Sequence, residues 1–296
     1  MNAKQRVGSD KIFDVLNLFI MLLILLSVAY PLYFIVIASV SNPDQVSSGN
    51  VLLLPRHVTF EGYIRLFADA GLWLGYLNSI QYAVIGTLLS TSLTLCGGYV
   101  LSRHDLDGRS ILSLFVVLTM FFSGGIIPTY LVVKDLGMTN TMWALIIPNA
   151  VSAFHLIIAR TFFETNIPKE LLEASQVEGS SDFRFFTRIV LPLSRPIIAV
   201  LALFSIASLW NSYFPALIYL RDRSLYPLQL ILREMLIMNE VQQGAAIDAD
   251  DLADMQRLAG LMKNAVIIVS SLPMLMIYPF VQKHFVKGMM IGSIKN

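Results

Sequence analysis

Six runs without a single Asp, Glu, Lys or Arg dominate this chain: Val15–Val40, Tyr76–Leu101, Ile111–Val133, Gly137–Ala159, Pro196–Leu220 and Asn264–Gln282. A bilayer core about 30 Å thick is crossed by roughly 20 apolar helical residues, and each run is of that order. Hydrocarbon cannot hydrogen-bond an open backbone, so such runs form helices. A barrel would need shorter, alternating segments, and none occur here. Charged residues are 14% of the composition, against about 25% in soluble domains. The sequence predicts an all-α membrane protein, a single transmembrane domain over 1–296 with six transmembrane helices. The first run follows Lys4, Arg6 and Lys11 as a secretory signal would. It exceeds the apolar core of such signals, at most about 15 residues, so we read it as an uncleaved span. Lys134, Asp135 and Gly137 suit a tight turn between the third and fourth runs.

Basic residues set the orientation of such a bundle. With the N-terminus cytoplasmic, 13 of the 21 Lys and Arg fall inside and 8 outside. Both termini are then cytoplasmic. Extracytoplasmic loops fall at about 41–75 and 221–260, and a polar cytoplasmic loop at about 160–195 lies between helices 4 and 5. Cys96 is the only cysteine, so an intrachain disulfide and a thiolate metal site are excluded. His57, His104, His155 and His284 are scattered without ligand spacing. No phosphate-binding loop or nucleophile elbow is present. Any ATP-driven work therefore belongs to another chain, and no basic run points to nucleic acid.

The loop between helices 4 and 5 reads as a helix–turn–helix. In "NIPKELLEASQVEG", Pro168 suits a first turn, Glu170 the positive helix end, and Gly179 the left-handed position after the last turn. Ser180 to Asp182 offers caps for a second helix, on which Phe186, Ile189 and Val190 share one face. Short helices are marginal alone in water. This pair either docks in a groove of a cytoplasmic partner or lies on its own membrane domain or on lipid.

The stretch Glu173 to Pro192 resembles the EAA signature of permease subunits of binding-protein-dependent ABC importers. Glu173, Ala174, Ser175, Gly179, Ile189, Leu191 and Pro192 stand at the family spacing over 20 residues, with Ser175 where a second Ala is usual. "NSI", "GGYVLSR", "LWNSYFPALIYL" and the ending "VQKHFVKGMMIGSIKN" are similar to the smaller permease of the carbohydrate, maltose-type class. The resemblance implies a multi-pass protein of the bacterial cytoplasmic membrane. It implies a second permease, two ATPase subunits that bind ATP and Mg, and an extracytoplasmic solute-binding protein that delivers a sugar. No cofactor is expected on this chain itself. Glu173 would anchor the loop in the ATPase subunit, Gly179 would turn it, and Phe183, Phe185 and Phe186 would dock or pack inward. The tail from Lys287 would approach the ATPase interface.

Polar and aromatic residues inside spans are costly unless used. Candidates for the substrate pathway are Asn78, Gln81 and Tyr82 in the second span, Asn149, Ser152 and His155 in the fourth, and Trp210, Asn211 and Tyr213 in the fifth. Each could instead hold helices together by hydrogen bonds. Asp248, Asp250, Asp251 and Asp254 form an acidic cluster for a binding protein or for solvent. A secondary transporter would carry embedded charges or repeats, and none interrupts the six runs. An importer permease for amino acids or peptides remains the alternative within the same class.

Overall fold

A computed structural model describes residues 8–242, 260, 262–277 and 279. Among them every regular element is helical. The chain divides into two compact units. One comprises Met1–Asp69 with Met235–Ser271, the other Ala70–Glu234 with Leu272–Asn296.

In the first unit, α1 (Gly8–Ser39) carries no charged residue from Val15 onward, with Pro31 inside it. Its segment Phe13–Ser39 is 27 residues long and only 6% of its most apolar window is buried. α2 (Pro43–Ser47) and α3 (Glu61–Ala68) follow. The side chain of Asn42 caps α2 through the amide of Asp44, and Arg65 pairs with Glu61 one turn back on α3.

The second unit is built on α4 (Ala70–Ser102), 33 residues long and long enough to cross a bilayer unbroken. Helices apolar on every face are buried ones, and α4 packs α8 (Ala153–Asn166) and α12 (Arg195–Trp210) along its length. Glycine makes the tightest crossing possible: a Cβ at Gly98 would stand 2.6 Å from the Ala159 Cβ and 3.1 Å from the Arg160 amide nitrogen. One core, of Leu95, Tyr99, Ala159, Phe163, Phe185, Val190, Ile197 and Leu201, closes one end of this bundle. A second core at the other end gathers Tyr82, Val133, Leu145, Ala216 and Tyr219.

Three expected spans are not single helices. The third divides into α5 (Arg109–Phe121) and α6 (Ile126–Asp135), set 115° apart. Gly125 at φ +80° makes that bend, a conformation open to glycine at no steric cost. The fourth opens on Gly137 and Asn140 with positive φ. It then forms one turn, α7 (Trp143–Ile146), and unwinds around Pro148 before α8. The fifth breaks at Asn211 and Ser212 between α12 and α13 (Tyr213–Tyr219). The Asn211 amide side chain donates to the Ala207 carbonyl at 2.8 Å, and Pro215 supplies no N–H to continue the ladder. A short 3-10 turn (Arg223–Leu225) and α14 (Leu228–Gln242) come next. The described part of the sixth run is a helix over Met262–Ile277. Its last residues, the acidic cluster and the tail from Lys287 lie outside the described residues.

Candidate functional site

The polar stretch at about 160–195 folds as a helix, a turn and a second helix. α9 (Lys169–Val177) starts directly after Pro168, which caps it in extended conformation. Its end is a complete glycine-based cap. Gly179 sits at φ +73°, its amide bonds the Gln176 carbonyl at 3.0 Å, and the Ser180 amide bonds the Ser175 carbonyl at 2.9 Å. The Ser181 hydroxyl then accepts from the Arg184 amide and caps α10 (Asp182–Phe185). A π-helical turn (Phe186–Val190) and α11 (Leu191–Leu193) carry the chain to α12 through a bend of 82°.

The loop has an inner and an outer side. Ser175 is buried and its hydroxyl bonds the Leu172 carbonyl at 2.8 Å. A small side chain is what this position admits, so serine replaces alanine at little cost. Phe185 is buried, and Phe186 packs on Tyr99 with the rings tilted by 34° and their centroids 4.8 Å apart. Ile189 and Leu191 pack on the same core. Glu173, Ala174 and Pro192 are exposed, as are Val177 at 90% and Phe183 at 77%. The three phenylalanines therefore separate: Phe183 is available to a partner, whereas Phe185 and Phe186 pack inward.

Arg103, just beyond α4, ties this loop down. Its guanidinium donates to Asp182 at 2.8 Å, to Asp105 at 2.7 and 2.5 Å, and to the Tyr99 hydroxyl at 3.1 Å. The Arg103 hydrogen bonds hold the Asp105 carboxyl down at about 2. The same partners raise the Arg103 pKa further above its ordinary value. Beside them, Glu164 accepts from Arg109 and Arg160, and Arg109 also meets His104. Nothing in the linear pattern pairs residue 103 with 182. The one available signal is a basic residue at the C-terminal end of a helix facing an acidic residue at an N-terminal one.

A cavity of about 560 Å³ lies where the fourth and fifth spans are broken. Asn149, Ser152, His155 and Asn211 all line it, together with Ser90, Ser205, Ser208 and Ser212. Ser90 and Ser205 share a hydrogen bond of 3.1 Å, and His155 stacks on Phe204 at 5.2 Å. Among the described residues its polar lining is hydroxyl, amide and imidazole, with no Asp, Glu, Lys or Arg. Sequence reading found half of this set. Ser90, Ser205, Ser208 and Ser212 escaped it because small hydroxyl residues are also ordinary helix-packing residues in membranes.

The other pathway candidates are placed elsewhere. Asn78 donates to the Ser224 and Tyr226 carbonyls at 2.8 and 3.0 Å, and the Tyr82 hydroxyl to the Leu225 carbonyl at 2.9 Å. With Ser79, which accepts from the Leu228 amide, they fasten the chain ahead of α14. Gln81 is exposed on α4 near the Met142 sulfur. Trp210 is buried against Tyr76 at 6.0 Å, and Tyr213 lies under the Arg233 guanidinium at 5.4 Å. None of these five lines the cavity.

An apolar helical bundle with a polar cavity at its helix breaks and an exposed helix–turn–helix at one end has the layout of a membrane translocation subunit. Residues 70–291 match the family model "Binding-protein-dependent transport system inner membrane component", and this chain belongs to that family. It is 40% identical over 291 residues to the polygalacturonan/rhamnogalacturonan transport system permease protein YtcP of Bacillus subtilis, covering 97% of this chain and 99% of that one. With protein LplC of the same organism it shares 37% identity over 296 residues, 100% of this chain and 99% of the relative. A solved structure, of a bacterial ABC transporter involved in the import of the acidic polysaccharide alginate, matches at TM-score 0.85 and 30% identity. That match covers 96% of this chain and 100% of the other.

Proposed function

We propose that this chain is a permease subunit of an ATP-driven importer of oligosaccharides. In this reading six spans cross the bacterial cytoplasmic membrane with both termini inside. A second permease completes the pathway, an extracytoplasmic solute-binding protein delivers the sugar, and two ATPase subunits that bind ATP and Mg drive it from the cytoplasm. Saccharide cargo is supported by the named substrates of the relatives and by the cavity lining. Hydroxyl and amide groups exchange hydrogen bonds with sugar hydroxyls on equal terms.

The observation that carries the coupling role is the two-sided loop. Ser175, Phe185 and Arg103 fix it to the bundle, while Glu173, Val177 and Phe183 face outward. The test is co-purification of wild type and Glu173→Arg with the candidate partner permease and ATPase subunits. Wild type is expected to retain the ATPase and the charge reversal to release it, with the permease pair intact. Equal retention by both removes Glu173 from the anchor role. A wild type that retains no ATPase overturns the importer reading.

A further inference from the structure

The first unit carries an apolar segment that the transport reading leaves unused. Leu52, Leu53 and Leu54 are 62%, 67% and 73% exposed in succession. Their neighbours are not slack. Val51 is buried, and the segment is closed at its base by backbone bonds from Asn42 to Arg56 and from Thr59 to Val40, at 3.1 and 2.9 Å. The Arg56 amide adds a bond to the Ser41 hydroxyl. Gly49 at φ +72° turns the chain inside this closed loop.

From that base the leucines fold back along α1. The Tyr30 hydroxyl donates to the Leu52 carbonyl at 3.2 Å and the Tyr33 hydroxyl to the Leu53 carbonyl at 2.5 Å. Tyr33 and Tyr30 stand six and nine residues before the end of α1 at Ser39, about 9 and about 14 Å back along the axis. Helical side chains lean toward the N-terminus, so the hydroxyls reach at least that far. The apolar stretch Phe13–Ser39 spans about 40 Å, roughly 10 Å more than a hydrocarbon core. Centred, it puts both tyrosine levels inside the hydrocarbon boundary. An irregular backbone there leaves carbonyls without water to bond. The two hydroxyls satisfy two such carbonyls.

We propose that Leu52–Leu54 form a finger inserted among the acyl chains of the bilayer that α1 crosses, tethered by Tyr30 and Tyr33. Lipid is the occupant because the leucines continue the exposed apolar surface of α1, where Leu26, Leu32 and Val36 are more than half exposed. Arg56 and His57 follow at the rim, where charge meets headgroups.

The test is an environment-sensitive fluorophore on Leu53→Cys in a Cys96→Ala background, with the full transporter in lipid nanodiscs. Ser47→Cys, exposed in the same loop, is the reference. Lipids bearing a nitroxide on the upper acyl chain are expected to quench the probe at 53 strongly, and iodide in the buffer is expected to spare it, with the reverse at 47. Iodide quenching at 53 overturns the proposal in favour of an aqueous loop. Protection from both quenchers overturns it in favour of cover by a partner protein. With Tyr33→Phe added, lipid quenching at 53 is expected to fall, and no change overturns the tether.

Discussion

Gly179 turns the loop between α9 and α10 at φ +73° with nothing within 4 Å of where a Cβ would stand, so replacing it tests backbone strain without steric conflict. A left-handed conformation costs an L-residue about 1–2 kcal/mol, less for Asn, whose side chain is tolerated there. Gly179→Val is therefore expected to speed hydrogen exchange at the Ser180 amide by about tenfold, and Gly179→Asn much less. Arg103 permits a pH prediction. Because Arg103 holds the folded Asp105 near 2, below its ordinary 3.8, this pair stabilises the fold above the ordinary value. Its contribution is lost as pH falls through about 2. The Asp105 side chain is 60% exposed, so solvent screening keeps the effect small. Asp105→Asn is expected to flatten that acid limb of thermal stability in detergent. Gly179 and Ser181 were legible in the sequence because caps and turns are local chemistry. The phenylalanines were not sorted, because residues 183, 185 and 186 fall within one turn and point to different sides of it, and a local pattern does not say which side the bundle covers.

α4 and α8 meet through two adjacent glycines of unlike environment. At Gly97 a Cβ would touch the movable Leu156 Cδ1 at 2.8 Å, whereas at Gly98 it would meet Ala159 Cβ at 2.6 Å and Arg160 backbone at 3.1 Å. A leucine tip rotates away, but a neighbouring backbone does not. Gly98→Ala is expected to cost about 1–3 kcal/mol through forced separation of the helices and to lower the melting temperature in detergent. Gly97→Ala is expected to cost less in the same assay. At this scale the sequence marked where apolar runs begin and end, since charge bounds them. It did not mark the breaks at Gly125, Pro148 and Asn211, because uncharged residues interrupt a helix without interrupting an apolar run. Those breaks at 148 and 211 are what line the cavity, in keeping with the placing of transporter sites at discontinuous helices.

Within the second unit α4 joins the loop to the cavity. Tyr99 and Arg103 hold the loop at one end, and Gly86 and Ser90 line the cavity farther along. From Arg103 to Ser90 the rise is about 20 Å, and a continuous helix transmits a displacement over that distance without absorbing it. Two substitutions should then separate the two ends of the lever. Ser208 is exposed on the cavity wall, so Ser208→Phe fills space without displacing packed neighbours. It is expected to suppress sugar uptake while ATPase subunits remain bound. Arg103→Ala leaves the cavity lining as it is but frees Asp182 and Asp105 from their shared cation. Its expected signature is a lower ratio of sugar imported to ATP hydrolysed, measured per assembled complex in proteoliposomes, with Arg103→Lys recovering part of that ratio. If Arg103→Ala changed only the yield of complex and left the ratio alone, the arginine would serve assembly and α4 would not be the lever.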